Sequence, residues 1–305
     1  MTQILSRLAT KARAIRRTQR YRRMLLDLGA TFTSDPARAG AELVTIEGLK
    51  FSIKSEEDLF ILTEVFDRQC YNFRTSAETI VIDIGMNIGI ASLSFAKDPN
   101  VQHVYSFEPF PGTYALARAN LRLNWPCEEK ITAQNFGLSD RDAVEELPYI
   151  EERKGSLGVN GMPRSFTPSR QDLNLQRIEL RDAAIVLFPI LEAHPDANLV
   201  LKMDCEGSEY PIFRSLDDAG LLGRFQAIML EWHKQGPEEL LSALQKYGYA
   251  AFTFNDGPRG DGMLYAVNPK PPRRSAERAV RGQTQISPIP DIISMPLAGV
   301  PVPTA

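Results

Sequence analysis

The sequence predicts an α/β fold: a mostly parallel, seven-stranded sheet with helices on both faces. Three observations carry this. From residue 79 onward, apolar runs alternate with helical patterns. The first apolar run ends in an acid and a glycine turn, "IVIDIGMNIGIASLSF". After the last helical pattern come two strand-like runs, "YAAFTFN" and "GMLYAVN", joined by the turn-rich "DGPRGD", so the sheet should end in an antiparallel hairpin.

Taken in order, the first segment is "ILSRLATKARAIRRTQRYRRMLLDLG", basic, with no acid before Asp27. Ile4, Leu5, Leu8, Ala12, Ile15, Met24 and Leu25 follow a helical stripe, and Gly29 is a stop. Such a helix either packs with a solvated basic face or touches an anionic membrane surface peripherally. "LVTIEGLKFSI" over 43–53 reads as a hairpin turning at Glu47-Gly48, and "EEDLFILTEVFDRQCYNF" as a helix. Strands are expected at 79–84, 102–107, 131–136, 198–203 and 225–231, with helices at 89–97, 111–124, 182–193, 208–217 and 236–247.

The polar stretch 138–181 breaks this alternation and is expected to be a substrate loop or lid. The Pro-rich stretch from 269 to 305 reads as a disordered tail. The expected organisation is a basic helix and hairpin cap over 1–57, a central domain over 58–268, and the tail.

The 305 residues carry a net charge of -3, which gives no argument for nucleic-acid binding. Three widely spaced cysteines, Cys70, Cys127 and Cys205, suggest neither a disulfide framework nor a zinc site. No apolar run is long enough for a membrane span, and the N-terminus lacks a signal-peptide core, so the expected location is cytoplasmic.

The turn D-I-G-M-N-I-G places Asp83, Gly85, Asn87 and Gly89 between a buried strand and a helix. It lacks the third glycine of G-x-G-x-x-G and the Lys-Ser/Thr of a P-loop. What remains suits a small zwitterion held by backbone groups and an acid. The next strand ends in Glu108, about 20 residues on, where an acid accepts two ribose hydroxyls. The pair of features implies S-adenosylmethionine. Asn135, Phe136 and Gly137, at the end of the third strand, are candidates to frame its adenine.

Four blocks, "IDIGMNIG", "YSFEPFPGTYALARANLRLN", "NFGLSD" and "LVLKMDCEGSEYPIFRSL" followed by "IMLEWH", resemble the FkbM-type methyltransferase family. The likeness spans roughly residues 60 to 267, and its most distinctive part is K-x-D-x-E-G-x-E. It implies a class I methyltransferase, Rossmann-like fold, S-adenosylmethionine as donor, and O-methylation of sugars, glycolipids or secondary metabolites. Met86 and Cys205 depart from the residues more usual there. N-methylation, and a NAD(P)-binding oxidoreductase, are the rival readings.

Ligands of open α/β sheets bind outside the carboxyl ends of the strands. Those ends carry Lys202, Asp204, Glu206 and Glu209, then Glu231 and His233. Removing a hydroxyl proton needs a base, for which Asp204, Glu206 and His233 are candidates. His233 is favoured for its near-neutral pKa, since His103 and His194 should lie far from the crevice. Asp204 could instead position the cofactor, and Glu209 reads as structural. A divalent metal on Asp204 and Glu231 is a minor alternative. "KGSLG" over 154–158 could contact cofactor or acceptor.

Overall fold

A computed structural model describes residues 2–156, 158, 174–255 and 260–269. The expected Pro-rich tail beyond Pro269, Leu157 of "KGSLG" and most of "DGPRGD" lie outside the described residues.

The chain opens with α1 (Thr2–Asp27), closed by Gly29 at φ 84°. Strands β1 (Thr31–Ser34), β2 (Glu42–Ile46) and β3 (Leu49–Ile53) form a small antiparallel sheet. Its β2–β3 turn is Glu47-Gly48, both residues left-handed at φ 51° and 85°, the geometry that matches the twist of a two-residue hairpin. Helix α2 (Glu56–Leu62) follows, with a reciprocal cap in which Ser55 and Asp58 satisfy each other's backbone N–H. The π-turn Thr63–Asp67 continues it.

The main sheet then begins with β4 (Thr79–Ile84), α3 (Ile90–Ala96), β5 (Val101–Phe107), α4 (Pro111–Arg122) and β6 (Ile131–Gln134). After an excursion come α5 (Ala183–Ala193), β10 (Asn198–Met203), α6 (Glu209–Asp218), β11 (Ala227–Trp232), α7 (Glu238–Lys246), β12 (Ala250–Asn255) and β13 (Gly262–Val267). The spatial order is β12-β13-β11-β10-β4-β5-β6. All neighbours from β11 to β6 are parallel; β13 runs antiparallel between β11 and β12. The last strand, β13, is therefore inserted between β11 and β12, and β12 forms the edge.

The excursion between β6 and α5 is not a simple loop. It carries β7 (Gly137–Ser139), β8 (Ala143–Tyr149) and β9 (Asn174–Asp182), paired as β7-β9-β8 in a second sheet. Its short helical turn Glu151–Ser156 reaches back toward α2.

Two apolar cores lie on the two faces of the main sheet. One joins α5, α6 and α7 to residues such as Ile82, Phe107, Leu201 and Leu230. The other joins Leu25, Phe51, Leu62 and Phe66 to Val81, Leu93, Val104, Val200 and Met229. The N-terminal segment thus shares the cover of one face with α3 and α4. Two asparagines of α4 and the residues just after it bind it by amide pairing. Asn120 Oδ1 accepts from Ser52 N at 2.8 Å, and its Nδ2 donates to Ile88 O at 3.0 Å. Asn124 exchanges both bonds with the Lys50 backbone. Part of the basic face of α1 is engaged too: Arg17 pairs with Glu56, and Arg22 pairs with Glu42 and lies over Phe32. Among the described residues, no helix is long and apolar enough to cross a membrane.

Candidate active site

A crevice of about 610 Å³, partly open to solvent, lies at the carboxyl ends of β4, β5 and β10. This is the place that a parallel sheet leaves for a ligand where its strand order reverses. Its lining includes the apolar Phe107, Pro109, Phe110, Leu138 and Leu180, the polar Asp204, Glu206 and Ser208, and Gly85, Asn87 and Glu108.

The glycine turn is built from close backbone approach. A Cβ on Gly85, which sits at φ +83°, would stand 1.8 Å from Asp204 O. Only glycine fits there, both for its backbone angle and for the strand end packed against it. Gly89, at φ +85°, meets only ordinary side-chain contacts with Ala117 and Leu121. The turn's N–H groups are used within the fold. Gly85 and Met86 donate to Phe107 O at 3.1 and 2.9 Å, and Asn87 donates to Glu108 Oε2 at 3.0 Å. Ile88 N donates to Asn87 Oδ1 at 2.7 Å.

Asp83 does not line the crevice. The parallel register of β4 and β10 sets it beside Lys202, whose ammonium stands 3.1 Å from Asp83 Oδ1, and Ser92 donates to its other oxygen. The acid expected to meet a ligand's ammonium already holds one from the chain itself. Lys202 also donates to Gly85 O at 2.6 Å, so this ion pair clamps the turn from beneath. Burial alone would lower the Lys202 pKa, but Asp83 and Asp204 together raise it above its ordinary value. The sequence placed Lys202 at a strand end; its partner depends on which strands are neighbours.

Glu108 is where a ligand-binding carboxylate is needed. It is buried, with Oε1 accepting from Phe110 N and Oε2 from Asn87 N, both at 3.0 Å. Each carboxylate oxygen keeps a second lone pair for a ligand. Burial raises its pKa to about 7, against the pull of those two N–H groups.

Of the three residues proposed around the adenine, only Gly137 lines the crevice. Asn135 spends its amide on Glu108 O and Pro109 O, at 2.9 and 3.3 Å, fixing the end of β5. Phe136 turns into the core against Phe107, with the Arg181 guanidinium over its ring. The apolar wall is supplied instead by Phe110, Leu138 and Leu180. Phe110 follows Glu108 by two residues and was legible as a neighbour; Leu180 enters from β9.

Lys154 and Gly155 also reach the crevice. Lys154 is buried and paired with Asp58, the capping residue of α2, while Gly155 N donates to Glu57 Oε2 at 2.8 Å. The excursion is thereby latched to the N-terminal segment.

Asp204 and Glu206 line the crevice, and behind them stand Glu209, Glu231 and His233, which do not. Tyr71 OH donates to Asp204 Oδ2 at 3.1 Å. His233 Nδ1 lies 2.9 Å from Glu209 Oε1, which also accepts from Cys205 N at 3.1 Å. His233 Nε2 is 3.6 Å from Glu206 Oε2 and 3.8 Å from Glu231 Oε1. Burial would lower the His233 pKa, but the Glu209 bond and the charges of Glu206 and Asp204 lift it to about 11. These carboxylates favour the protonated imidazole, which works against His233 as a base while no cation or substrate displaces the proton. Burial raises Glu206 to about 8 and Glu231 well above its ordinary value. His103 and His194 instead bond Thr132 and Tyr105.

Comparison with known proteins agrees with this geometry. The profile of the methyltransferase FkbM domain matches residues 83–251. Methyltransferase sdnD of Sordaria araneosa is 25% identical over 228 residues, covering 67% of this chain and 86% of that one. The 31-O-demethyl-FK506 methyltransferase FkbM of Streptomyces tacrolimicus is 23% identical over 232 residues, with the same two coverages. Among solved structures, methyltransferase FkbM from Methylobacillus flagellatus aligns at a TM-score of 0.41 and 20% identity, over 65% of this chain. This chain spans about half, 46%, of that one. With the domain matched over more than half its length, the chain belongs to the FkbM methyltransferase family and is an S-adenosylmethionine-dependent methyltransferase.

Proposed function

We propose that this methyltransferase acts on a hydroxyl oxygen of a sugar, glycolipid or secondary metabolite. The observation that carries the reading is the pair of carboxylates, Asp204 and Glu206, that line the same crevice as Glu108. One relative's name, 31-O-demethyl-FK506 methyltransferase, specifies an oxygen position.

The crevice fits S-adenosylmethionine by its donor set. Glu108 offers two oriented lone pairs for the ribose diol. Phe110, Pro109, Leu138 and Leu180 offer an apolar slot for a flat base, and Gly85 and Asn87 line the side for the amino-acid end. When bound, the cofactor supplies a methyl group on a sulfonium, which an oxygen lone pair accepts as the carbon–sulfur bond breaks.

The chain's task is to hold the acceptor and remove its proton. Asp204 already accepts from Tyr71, which fixes its orientation. Glu206 makes no side-chain hydrogen bond among the described residues and lines the crevice, so it takes the hydroxyl proton. Asp83 and Lys202 position the turn without touching ligand.

Calorimetry with S-adenosylhomocysteine and with NAD tests the cofactor assignment. The expected result is binding of the former only, lost in Glu108→Ala. Incubation with S-adenosylmethionine and a panel of polyol, glycolipid and polyketide acceptors, read by mass spectrometry and NMR, tests the acceptor. A product methylated on nitrogen would replace the oxygen reading.

A further inference from the structure

We propose that Asp204, Glu206 and His233 form a divalent-cation site at the acceptor end of the crevice. The inference rests on the methyl-transfer reading, because the cation's role is to bind the acceptor hydroxyl beside the methyl donor.

The three residues each offer one ligand atom, and these atoms lie within 4.8 Å of one another. Ligands of one cation at bond lengths near 2.1 Å stand about 3–4 Å apart, so small side-chain rotations close the set. The donors are two carboxylates and an imidazole. That mixture suits manganese, iron or zinc, and three protein ligands leave open positions for a substrate oxygen.

More than a group of acids is present. The His233 side chain is 7% exposed, and its Nε2 makes no hydrogen bond among the described residues while facing Glu206. Its other nitrogen, Nδ1, is held by Glu209, a fully buried carboxylate. A carboxylate that fixes one nitrogen of a histidine so that the other faces a metal is the usual supporting contact of a metal-bound imidazole. Among the described residues, Glu209 Oε2 is itself buried without a hydrogen-bond partner. Asp204 is held in turn by Tyr71. Lys202, the buried ammonium of the adjoining turn, is committed to Asp83 and Gly85 O.

On binding, Nε2 yields its proton to solvent and its lone pair to the cation. The acceptor hydroxyl then coordinates the cation and becomes more acidic. Glu206 binds through one oxygen and accepts the hydroxyl proton on the other. Glu231, 3.8 Å from Nε2, stands beside the set rather than in it.

The test uses the purified full chain and Mn²⁺ alone, with loss of the free Mn²⁺ paramagnetic resonance signal as readout. The expected result is one site per chain, weakened at least about tenfold in both Asp204→Asn and Glu206→Gln. S-adenosylhomocysteine affinity should stay within about twofold in Glu206→Gln, which separates this site from the cofactor assignment. Circular dichroism confirms that each variant folds; His233→Gln is a third probe. No uptake of Mn²⁺ or Zn²⁺ up to about 1 mM would overturn the proposal. Uptake unchanged in Asp204→Asn and Glu206→Gln would overturn it equally.

Discussion

At the Gly85 turn, the charged groups have partners inside the chain: Asp83 with Lys202 and Ser92, Glu108 with the N–H groups of Asn87 and Phe110. At the Asp204 corner, four carboxylates surround one imidazole, and among the described residues Glu206 makes no side-chain hydrogen bond. Both regions sit at strand ends of one sheet, yet one is a finished structure and the other an incomplete one. The difference separates two tasks. A ligand bound the same way in every turnover is served by a rigid frame whose polar groups are already oriented. A proton transfer, or a cation, needs groups left short of partners, and the surrounding fold bears the cost.

The largest effect should come from breaking the finished region. Lys202→Met leaves Asp83 buried and unpaired, at an expected cost of about 3–5 kcal/mol in urea denaturation. A loss below about 1 kcal/mol would mean that the clamp is dispensable.

Next in size is the contrast of two glycines. Gly85→Ala drives a methyl into Asp204 O and should cost about 3 kcal/mol or more. Gly89→Ala meets only the backbone-angle penalty, about 1 kcal/mol. Equal losses would show that the close strand approach is not what selects Gly85.

A pH series sharpens the comparison. Glu108 has a pKa of about 7, raised from 4.5, so between those values the folded chain binds a proton that the unfolded chain has released. Its contribution to stability therefore falls as pH rises through this window. Ligand binding runs the other way: S-adenosylhomocysteine affinity should fall toward about tenfold per pH unit below 7, as the carboxylate loses acceptor capacity. Both slopes should vanish in Glu108→Gln. A flat affinity profile in the parent chain would remove Glu108 from the ribose.

The smallest stability effect belongs to the unfinished corner. Glu206→Gln removes no hydrogen bond and should change unfolding free energy by under about 1 kcal/mol, while slowing methyl transfer about 100-fold or more. A large stability loss would make Glu206 a structural residue.

The main strands, the glycine turn and the Glu47-Gly48 hairpin were legible because each is written in local pattern. The second sheet was not. "AVEELPY" and "NLQRIELRD" are half-exposed and charged on their outer face, so they read as polar loop; what makes them strands is each other. The Asp83–Lys202 pair was hidden for a related reason. It links residues 119 positions apart through a register that only the strand order creates. Phe136 and Asn135 were adjacent to the right place, but they form a bend between β6 and β7 in which Asn135 turns its amide to Glu108 O and Pro109 O and Phe136 packs against Phe107. His233 does not itself line the crevice; it stands behind Glu206, which does. Its charge state depends on four carboxylates that converge from different elements.

The amide pairs from Asn120 and Asn124 to β3 bear on how this protein can be divided. The recognisable domain begins at residue 83, yet Phe51, Leu62 and Phe66 roof the sheet face that presents Val104, Val200 and Met229. A fragment cut at the edge of the match would bare that face and leave both asparagines without their strand. The unit of homology is smaller here than the unit of folding, and recombination or truncation at the homology boundary should yield aggregate rather than enzyme.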